Sequence, residues 1–347
     1  MIKIADKEIS KNSKPFIIAE MSGNHNQSIE RAFEIVDAAS ESGAHALKLQ
    51  TYTPDTMTLN LSEGEFFISD PKSLWKGNSL YELYKIAHTP WEWHKPIMDR
   101  CKQKGIICFS TPFDESSVDF LESLNVPAYK VASFENIDLP LIKKIAKTGK
   151  PIIISTGMAS LSELDDIITT IKSENNDKII LLKCTSSYPS TPENTNILTI
   201  PHMMQLFNCE VGLSDHTMGI GVAIASVALG ATVIEKHFTI RRSDGGVDSA
   251  FSIEPSEMKS LVIETERAWQ SLGRINYGSL EAEKKSMVFR RSIYISKDMK
   301  KGETFTKENL RRIRPGYGLA PKYYDMLLGK KVNCDVKMGT PMNWDLL

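Results

Sequence analysis

Cysteine is scarce in this 347-residue chain, and its placement excludes two common kinds of stabilisation. The cysteines are odd in number, and no two of them form a Cys-x-x-Cys pair. A disulfide framework needs paired cysteines, and structural zinc sites usually take their ligands from such closely spaced pairs. We therefore interpret the five residues as buried small apolar side chains in a reducing cytosol: Cys101, Cys108, Cys184, Cys209 and Cys334.

The sequence also lacks a long hydrophobic run and an excess of charge of one sign. The longest mostly apolar stretch, residues 221–234, is shorter than the roughly 20 residues that a membrane-spanning helix requires. Residues 1–15 contain no apolar core of a secretory signal. The formal net charge of −1 provides no basic field for nucleic acid. These absences predict a cytoplasmic protein without a membrane or nucleic-acid partner.

The sequence does contain a regular alternation of apolar runs and amphipathic stretches. The apolar runs are rich in β-branched residues, as is typical of parallel strands that are buried on both faces. Helical patterns lie between them, such as residues 28–42, where Ser28 is suited to cap the helix and Gly43 to end it. The predicted strands are Phe16–Ala19, Ala46–Leu49, Ile106–Phe109, Ala128–Val131, Ile152–Ile154, Ile179–Leu182, Glu210–Leu213 and Thr232–Ile234.

Eight strand–helix units predict an α/β fold, a closed (β/α)8 TIM barrel. An open doubly wound sheet is the alternative, because periodicity alone does not show closure. We predict the catalytic barrel over residues 1–273, a charged linker over 274–285 and a small β-rich domain over 286–347. Segment 54–90 is longer than the usual βα loop of about 2–6 residues, and we expect it to help enclose a substrate over the C-terminal mouth of the barrel.

Polar residues follow nearly every predicted strand. In a barrel the C-terminal ends of the strands converge on one mouth, where the reaction takes place. Lys48 and Lys130 lie within apolar strands, where an unpaired ammonium group is costly, and they therefore indicate an anionic ligand. We expect a phosphorylated anion to be bound by these lysines and by hydroxyl groups from neighbouring strands, namely Ser110, Thr111, Ser133, Ser155 and Ser214.

Two histidines, His216 and His237, end adjacent predicted strands. Imidazole is a ligand for Mn, Fe, Co and Zn, so the pair predicts one weakly held, exchangeable divalent cation. The alternative is that the two histidines only form hydrogen bonds in the core. Glu20 and Glu235 also lie near the predicted mouth and are candidates for a general base.

At these residues the chain resembles the sialic acid synthase family, and it does so over essentially its whole length. The tail around Arg312–Gly316 is similar to the C-terminal antifreeze-like (SAF) domain of that family. The blocks of the barrel that carry the resemblance are Ile18–Glu20, Gly23–His25, Lys48–Thr51, Phe109–Phe113, Ala128–Lys130, Ile154–Met158, Gly212–Thr217 and Glu235–Phe238.

The resemblance implies a synthase that joins phosphoenolpyruvate to the open-chain aldehyde of an amino sugar. His216 and His237 would hold a divalent metal (Mn, Mg or Co) that polarises the aldehyde. The methylene carbon of phosphoenolpyruvate attacks the aldehyde, water adds to the former enol carbon, and phosphate leaves by C–O cleavage. Glu20 is the first candidate to deprotonate or steer this water and Glu235 the second, so the catalytic candidates are Glu20, Glu235 and His237.

The resemblance also assigns the binding residues. Arg314, from the small domain, would reach the barrel of the partner in a domain-swapped homodimer. The residues implied on the phosphoenolpyruvate side are Lys48, Gln50, Thr111, Lys130, Ser133, Ser155, Ser214 and Ser186, the last at a position where the family often has Asn. Those implied on the sugar side are Asn78, Glu135, Tyr188, Asp248 and Arg314.

Within the family, residues 20–28 and 63–94 are most similar to the branch whose sugar is 2,4-diacetamido-2,4,6-trideoxy-L-altrose. The nearest alternatives are the branches that use N-acetylmannosamine or the precursor of legionaminic acid. A synthase that forms ketose phosphates is a weaker alternative, because its sugar phosphate would need a second basic cluster. A non-catalytic carbohydrate sensor is the alternative from another class, and it would not need the histidine pair and both glutamates.

Overall fold

The computed structural model describes residues 2–71 and 73–347 and divides the chain into two compact units, Met1–Gly273 and Arg274–Leu347. In the first unit eight parallel strands pair in chain order, and the last strand pairs with the first. The predicted TIM barrel is therefore confirmed, and the open sheet is wrong. After the short strands β1 (Ile2–Ile4) and β2 (Lys7–Ile9), the barrel strands are β3 (Phe16–Glu20), β4 (Ala46–Thr51), β5 (Ile107–Pro112), β6 (Tyr129–Val131), β7 (Ile152–Ser155), β8 (Ile179–Cys184), β9 (Glu210–Ser214) and β10 (Val233–His237).

Helices follow the strands and cover the outside of the barrel. Ser28 caps the first of them as predicted, since its hydroxyl accepts a hydrogen bond from the Arg31 amide at 3.2 Å. Across the described ranges, no helix combines the length and the apolar character needed to cross a membrane. The helices of this unit are α1 (Ile29–Glu41), α2 (Pro54–Met57), α3 (Leu80–Ala87), α4 (Trp91–Gln103), α5 (Glu115–Ser123), α6 (Leu139–Lys147), α7 (Leu161–Ser173), α8 (Thr199–Phe207), α9 (Gly221–Ala228) and α10 (Pro255–Leu272).

Successive side chains of each barrel strand alternate between two hydrophobic cores. In β3, Ile17 and Ala19 pack outward against the helices, whereas Phe16 and Ile18 pack inside the barrel. The same alternation continues past the apolar part of each strand. It therefore turns the last inward-facing residues, such as Glu20, towards the mouth of the barrel.

The N-terminal hairpin formed by β1 and β2 closes the interior core. Ile2, Ile4 and Ile9 from this antiparallel pair cluster with the inward-facing apolar residues of the barrel strands. Ile4 is fully buried there. The hairpin thus excludes water from the interior of the barrel, and the sequence patterns did not predict it.

The second unit has a hydrophobic core of its own. Its strands β11 (Ser292–Ile295) and β12 (Leu310–Ile313) are antiparallel, and helix α11 (Tyr324–Leu327) packs beside them. Isolated bridges join further extended segments, for example Met299 to Val336. A short 3-10 helix, Glu281–Phe289, overlaps the segment predicted as a linker. The core of this unit includes Ile293, Phe305, Leu310, Leu327 and Met342.

Candidate active site

The inward-facing residues at the C-terminal ends of the strands are polar, and they form the floor of one cavity. The cavity has a volume of about 360 Å³. Its polar lining comes mostly from strand ends and from the turns that follow them. Twelve residues predicted from the sequence line it: Lys48, Gln50, Lys130, Ser133, Glu135, Ser155, Tyr188, Ser214, His216, Glu235, His237 and Asp248.

Two buried lysines and two buried glutamates form a network across this floor. The Lys48 ammonium lies 3.0 Å from the Glu20 carboxylate and 3.2 Å from that of Glu235. Lys130 lies 3.7 Å from Glu235 and donates a hydrogen bond to the Ser155 hydroxyl at 2.7 Å. The Glu235 carboxylate also accepts a hydrogen bond from Ser214 at 3.0 Å. The lysine charges are therefore paired within the protein.

The two glutamates differ in acidity because their surroundings differ. Burial raises the pKa of Glu20 to about 7, although Lys48 opposes this shift. Burial also acts on Glu235, but its contacts with Lys130 and Lys48 outweigh that effect and lower its pKa to about 2. Burial lowers the pKa of Lys130 to about 8. Glu20 can therefore exchange a proton near neutral pH, whereas Glu235 stays ionised.

The two predicted metal ligands lie side by side. The ring centroids of His216 and His237 are 5.4 Å apart. The Nδ1 atom of His216 lies 3.0 Å from the Thr185 carbonyl oxygen, which can only accept, so this nitrogen carries the proton. Within the part of the chain that the structure describes, the buried Nδ1 of His237 has no hydrogen-bond partner, and it lies 3.7 Å from the Asp248 carboxylate.

These imidazoles fit a loosely held divalent cation. Burial lowers the pKa of His237 well below its usual value, and a neutral imidazole is the form that binds a metal. No group of three or more histidine, cysteine or acidic residues with metal-site geometry is present over residues 2–71 and 73–347. A cation held by this pair would therefore have two imidazole ligands and coordination positions left for other ligands.

A chain of polar contacts links the glutamate network to the imidazole pair. The Gln50 amide donates to Glu20 at 3.0 Å and to the Ser22 hydroxyl at 3.1 Å. Ser22 in turn donates to Asp248, the carboxylate beside His237. Ser22 is buried and has a positive φ of 49°, which is unusual for a residue with a side chain. The sequence analysis missed Ser22, and its position two residues after the end of the first barrel strand is the one signal that could have indicated it.

Six of the predicted site residues do not line the cavity. Ser110 is fully buried, and its hydroxyl oxygen lies 2.6 Å from that of Thr51. Glu20 lies beneath Lys48, and Thr111 is fully buried with a hydroxyl that has no partner in the described ranges. Ser186 donates to the Ser133 hydroxyl at 2.7 Å, behind the lining. The Asn78 side chain is half-buried and donates to the Trp75 carbonyl at 3.1 Å. Arg314 is exposed and belongs to the second unit.

The sequence analysis also missed a thiol in the cavity. Cys184 ends β8 and lines the cavity beside His216. Burial opposes ionisation of both groups, but their mutual contact outweighs it, so that the pKa of Cys184 is lowered and that of His216 is raised. Its position two residues after a predicted strand is a usable signal, but the sequence pattern alone predicts only buried apolar cysteines. That prediction is wrong for Cys334, which is exposed.

Comparison with known proteins gives consistent similarities over both units. The NeuB family model matches residues 35–277, and the SAF domain model matches residues 290–347. The chain is 46% identical to the pseudaminic acid synthase of Campylobacter jejuni, over 94% of this chain and 95% of that protein. It is 44% identical to the pseudaminic acid synthase of Helicobacter pylori, over 95% of this chain and 97% of that protein. The crystal structure of N-acetylneuraminic acid synthetase from Leptospira borgpetersenii matches with a TM-score of 0.74 at 30% identity. The match covers 82% of this chain and 94% of that one.

Proposed function

Since this chain belongs to the NeuB family, we propose that it synthesises pseudaminic acid. The reaction would condense phosphoenolpyruvate with 2,4-diacetamido-2,4,6-trideoxy-L-altrose and water, releasing phosphate. The similarity to two pseudaminic acid synthases over nearly the whole chain supports this choice of sugar. The observation that carries the proposal is that Lys48, Lys130 and Glu235 line the floor of the same cavity as the imidazole pair, with Glu20 directly beneath Lys48.

The lysines and hydroxyl groups of the floor provide the means to hold phosphoenolpyruvate. Lys48 and Lys130 can pair with its carboxylate and phosphate, and Ser155, Ser214 and Gln50 can donate hydrogen bonds. An anion beside Lys130 favours the charged ammonium and thus opposes the depression of its pKa by burial. We therefore assign the phosphoenolpyruvate side to Lys48, Gln50, Thr111, Lys130, Ser133, Ser155, Ser186 and Ser214.

His216 and His237 would hold the divalent cation, for which we propose Mn, Mg or Co. When bound, such a cation supplies Lewis-acid polarisation of the sugar aldehyde. The neutral imidazole of His237 and the closeness of the two rings, whose centroids are 5.4 Å apart, support this assignment. Asp248 lies beside the pair and, with Glu135 and Tyr188, faces the part of the cavity that the sugar would occupy.

We assign Glu20 the role of general base. The methylene carbon of phosphoenolpyruvate forms a bond to the aldehyde carbon, and water then adds to the former enol carbon. Glu20 takes one proton of that water, and the aldehyde oxygen takes up a proton and becomes a hydroxyl group. The hydroxyl group of the tetrahedral intermediate then loses its proton to form the ketone as the C–O bond breaks and phosphate leaves. A carboxylate whose pKa lies near 7 is well matched to proton transfer at neutral pH, whereas Glu235 is better suited to orient Lys48 and Lys130.

The assembly and location also belong to this proposal. We assign the chain to a cytoplasmic, domain-swapped homodimer in which Arg314 reaches the sugar in the partner's barrel. The five free thiols support a reducing compartment. The exposed position of Arg314, on a unit with its own core, supports a role towards a second chain. Asn78, in segment 54–90, completes the proposed sugar side.

An assay of phosphate release tests the proposed reaction. We expect release only when phosphoenolpyruvate, the diacetamido sugar and a divalent metal are all present, with pseudaminic acid as the product identified by mass spectrometry. Release with N-acetylmannosamine but not with the diacetamido sugar would replace this proposal with sialic acid synthesis. If no amino sugar supports release, the chain is better described as a carbohydrate sensor.

A further inference from the structure

The active-site cavity has a second half whose chemistry differs from that of the floor. Segment 54–90 contributes six large side chains to the lining, which we call the loop wall: Met57, Ile68, Trp75, Leu80, Leu83 and Tyr84. None of them carries a charge. The indole N–H of Trp75 already donates to the Val247 carbonyl at 3.0 Å. Among the residues that the structure describes, the Tyr84 hydroxyl is thus the one side-chain hydrogen-bonding group of the loop wall without a hydrogen-bond partner.

Specific contacts fix the loop wall in place. Backbone hydrogen bonds join Ile68 to Asn78 at 3.0 Å and Gly77 to Ile68 at 2.9 Å, which folds the segment back on itself. Ser79 caps α3, the helix that carries Leu80, Leu83 and Tyr84. Together with the bond from Trp75 to Val247, these contacts hold an apolar surface against the barrel.

Aromatic rings connect the imidazole pair with the loop wall. The ring of Tyr188 lies 4.4 Å from that of His216 and 6.4 Å from that of Trp75, measured between centroids. A sugar whose aldehyde reaches the imidazole pair therefore has its opposite end directed along Tyr188 towards Trp75. The reactive end of the sugar meets the polar floor, and the far end meets the loop wall.

We infer that the loop wall recognises the terminal methyl group of a 6-deoxy amino sugar and selects against sugars with a 6-hydroxyl group. This inference rests on the proposed function, which supplies the orientation of the aldehyde. A methyl group gains free energy when it leaves water for such a surface. A hydroxyl group in the same place gives up its hydrogen bonds to water and finds few replacements, which is unfavourable.

The size of the effect is limited by the physics of apolar pockets. A hydrophobic pocket rejects a ligand that merely adds a hydroxyl group by roughly a hundredfold at most. We therefore expect kcat/KM for the 6-deoxy sugar to exceed that for its 6-hydroxy analogue by about ten- to a hundredfold. The two sugars must both carry the 2,4-diacetamido groups, so that they differ by one oxygen atom.

Placing a hydrogen-bonding group on the loop wall tests the inference. Leu83→Gln offers an amide to a 6-hydroxyl group, and we expect it to reduce the preference for the 6-deoxy sugar at least fivefold, mainly through KM. Ile68→Thr makes a smaller change at a different point of the wall and should shift the preference in the same direction. The matched control is Ile86→Gln, on the same helix but exposed and outside the cavity, which should keep the wild-type preference.

The outcomes separate this inference from the proposed function. If both wall variants are active and keep the wild-type preference, or if wild type uses both sugars equally well, the inference is overturned while pseudaminic acid synthesis stands. If wild type makes no product from any diacetamido sugar, the proposed function itself fails. Circular dichroism of Leu83→Gln shows whether the variant is folded, and Ile68→Thr decides the question if it is not.

Discussion

Glu20 and Glu235 both contact Lys48, yet their other neighbours give them different chemistry. Glu235 also interacts with Lys130 and Ser214, so its charge is held by two cations and a hydroxyl group. Glu20 has Lys48 and the neutral amide of Gln50. The difference in pKa therefore follows from the number of cations that each carboxylate contacts. At the residue scale, this asymmetry separates a group that transfers a proton from one that holds charge in place.

The first prediction concerns Glu20. Glu20→Gln keeps the size of the side chain but removes its negative charge and its ability to accept a proton, so we expect kcat to fall by about 10²–10⁴-fold, by more than any change in KM for phosphoenolpyruvate. Steady-state phosphate release measures both parameters. The control is Glu210→Gln, which lies at the N-terminal end of β9, away from the mouth of the barrel, and should keep wild-type kcat. A Glu20→Gln enzyme with wild-type kcat would rule out Glu20 as the base.

A second residue-scale prediction concerns Ser22, which we interpret as a positioning residue. Ser22→Ala removes the hydrogen bond that orients Asp248 beside His237. Supporting residues of metal sites typically contribute about 10–100-fold to affinity, so we expect the dissociation constant for Mn²⁺ to rise by that factor. Calorimetry measures binding without turnover. His237→Ala, which removes a ligand, should abolish both binding and turnover while leaving the circular dichroism spectrum unchanged.

The control for Ser22 is Ser249→Ala. Ser249 lies next to Asp248 in the chain, but its hydroxyl donates to the Gly246 carbonyl and does not contact the imidazole pair. We expect this variant to bind Mn²⁺ as wild type does. Equal affinities for Ser22→Ala, Ser249→Ala and wild type would show that Ser22 does not position Asp248.

The alternation of side chains explains which site residues could be predicted from the sequence. Lys48 and Gln50 are two apart, so both were expected on one face of their strand, and both line the cavity. Lys236 also lies near the end of a strand, but it is one residue out of step with Glu235 and His237, so its side chain faces the opposite side of the strand. Its ammonium group lies 2.8 Å from the buried Asp215 carboxylate rather than in the cavity. The face of a strand on which a residue lies can be counted from the sequence. Contacts such as that of Ser22 with Asp248 join residues 226 positions apart and leave no local sequence pattern.

At the scale of elements, all eight barrel strands were predicted, but most extend further than expected. β4 continues to Thr51 and β8 to Cys184, because polar side chains that face the cavity are compatible with a strand although they interrupt its apolar run. The hairpin of β1 and β2 was missed because each strand has three residues, too few for a periodic pattern. The loop wall was expected only as a covering segment, since its shape depends on contacts with the barrel.

The third prediction concerns the N-terminal hairpin. Ile4 is fully buried in the interior core of the barrel, so Ile4→Ala leaves a cavity that neighbouring side chains cannot easily fill. We expect the free energy of unfolding to fall by about 2–5 kcal/mol, as measured by urea denaturation. Lys3→Ala, on the same strand but exposed, should change it by less than about 0.5 kcal/mol. Equal losses for the two variants would mean that the hairpin does not close the core.

The fourth prediction concerns stability against pH and rests on His94 of α4. Burial lowers the pKa of this imidazole to about 4, and its Nε2 lies 2.8 Å from the Thr51 hydroxyl. In the unfolded chain the same group titrates near 6.5, so below that pH the unfolded state binds the proton more readily than the folded state. The contribution of neutral His94 to the free energy of unfolding is therefore fully present above pH 6.5 and is lost as the pH falls towards 4. Between pH 7 and pH 5 this loss amounts to about 2 kcal/mol.

Unfolding titrations of wild type and His94→Gln measure this contribution. His94→Gln should be less stable than wild type at pH 7, because it disturbs the contact with Thr51. It should also lose less stability between pH 7 and pH 5, because glutamine does not titrate. Parallel pH profiles for the two proteins would contradict the assignment. His25, whose pKa burial also lowers to about 4, adds to the acid sensitivity of both proteins.

At the scale of the whole molecule, the two units contribute differently to the proposed site. Every residue that lines the active-site cavity belongs to the barrel unit. Arg314 is the one proposed sugar-binding residue outside it, and its unit folds around a separate core. In the proposed swapped homodimer, each complete site would therefore consist of a barrel from one chain and an arginine from the other.

The fifth prediction tests that claim by complementation. His237→Ala and Arg314→Ala should each be inactive alone, because one lacks a metal ligand and the other lacks the arginine. When the two chains are co-expressed, a mixed dimer contains one complete site, made of the barrel of the Arg314→Ala chain and the arginine of the His237→Ala chain. Random pairing then restores about a quarter of the wild-type sites, measured as phosphate release per dimer. If Arg314 instead served its own barrel, no mixed dimer would hold a complete site and the co-expressed protein would stay inactive. Full activity of Arg314→Ala alone would remove the arginine from the site altogether.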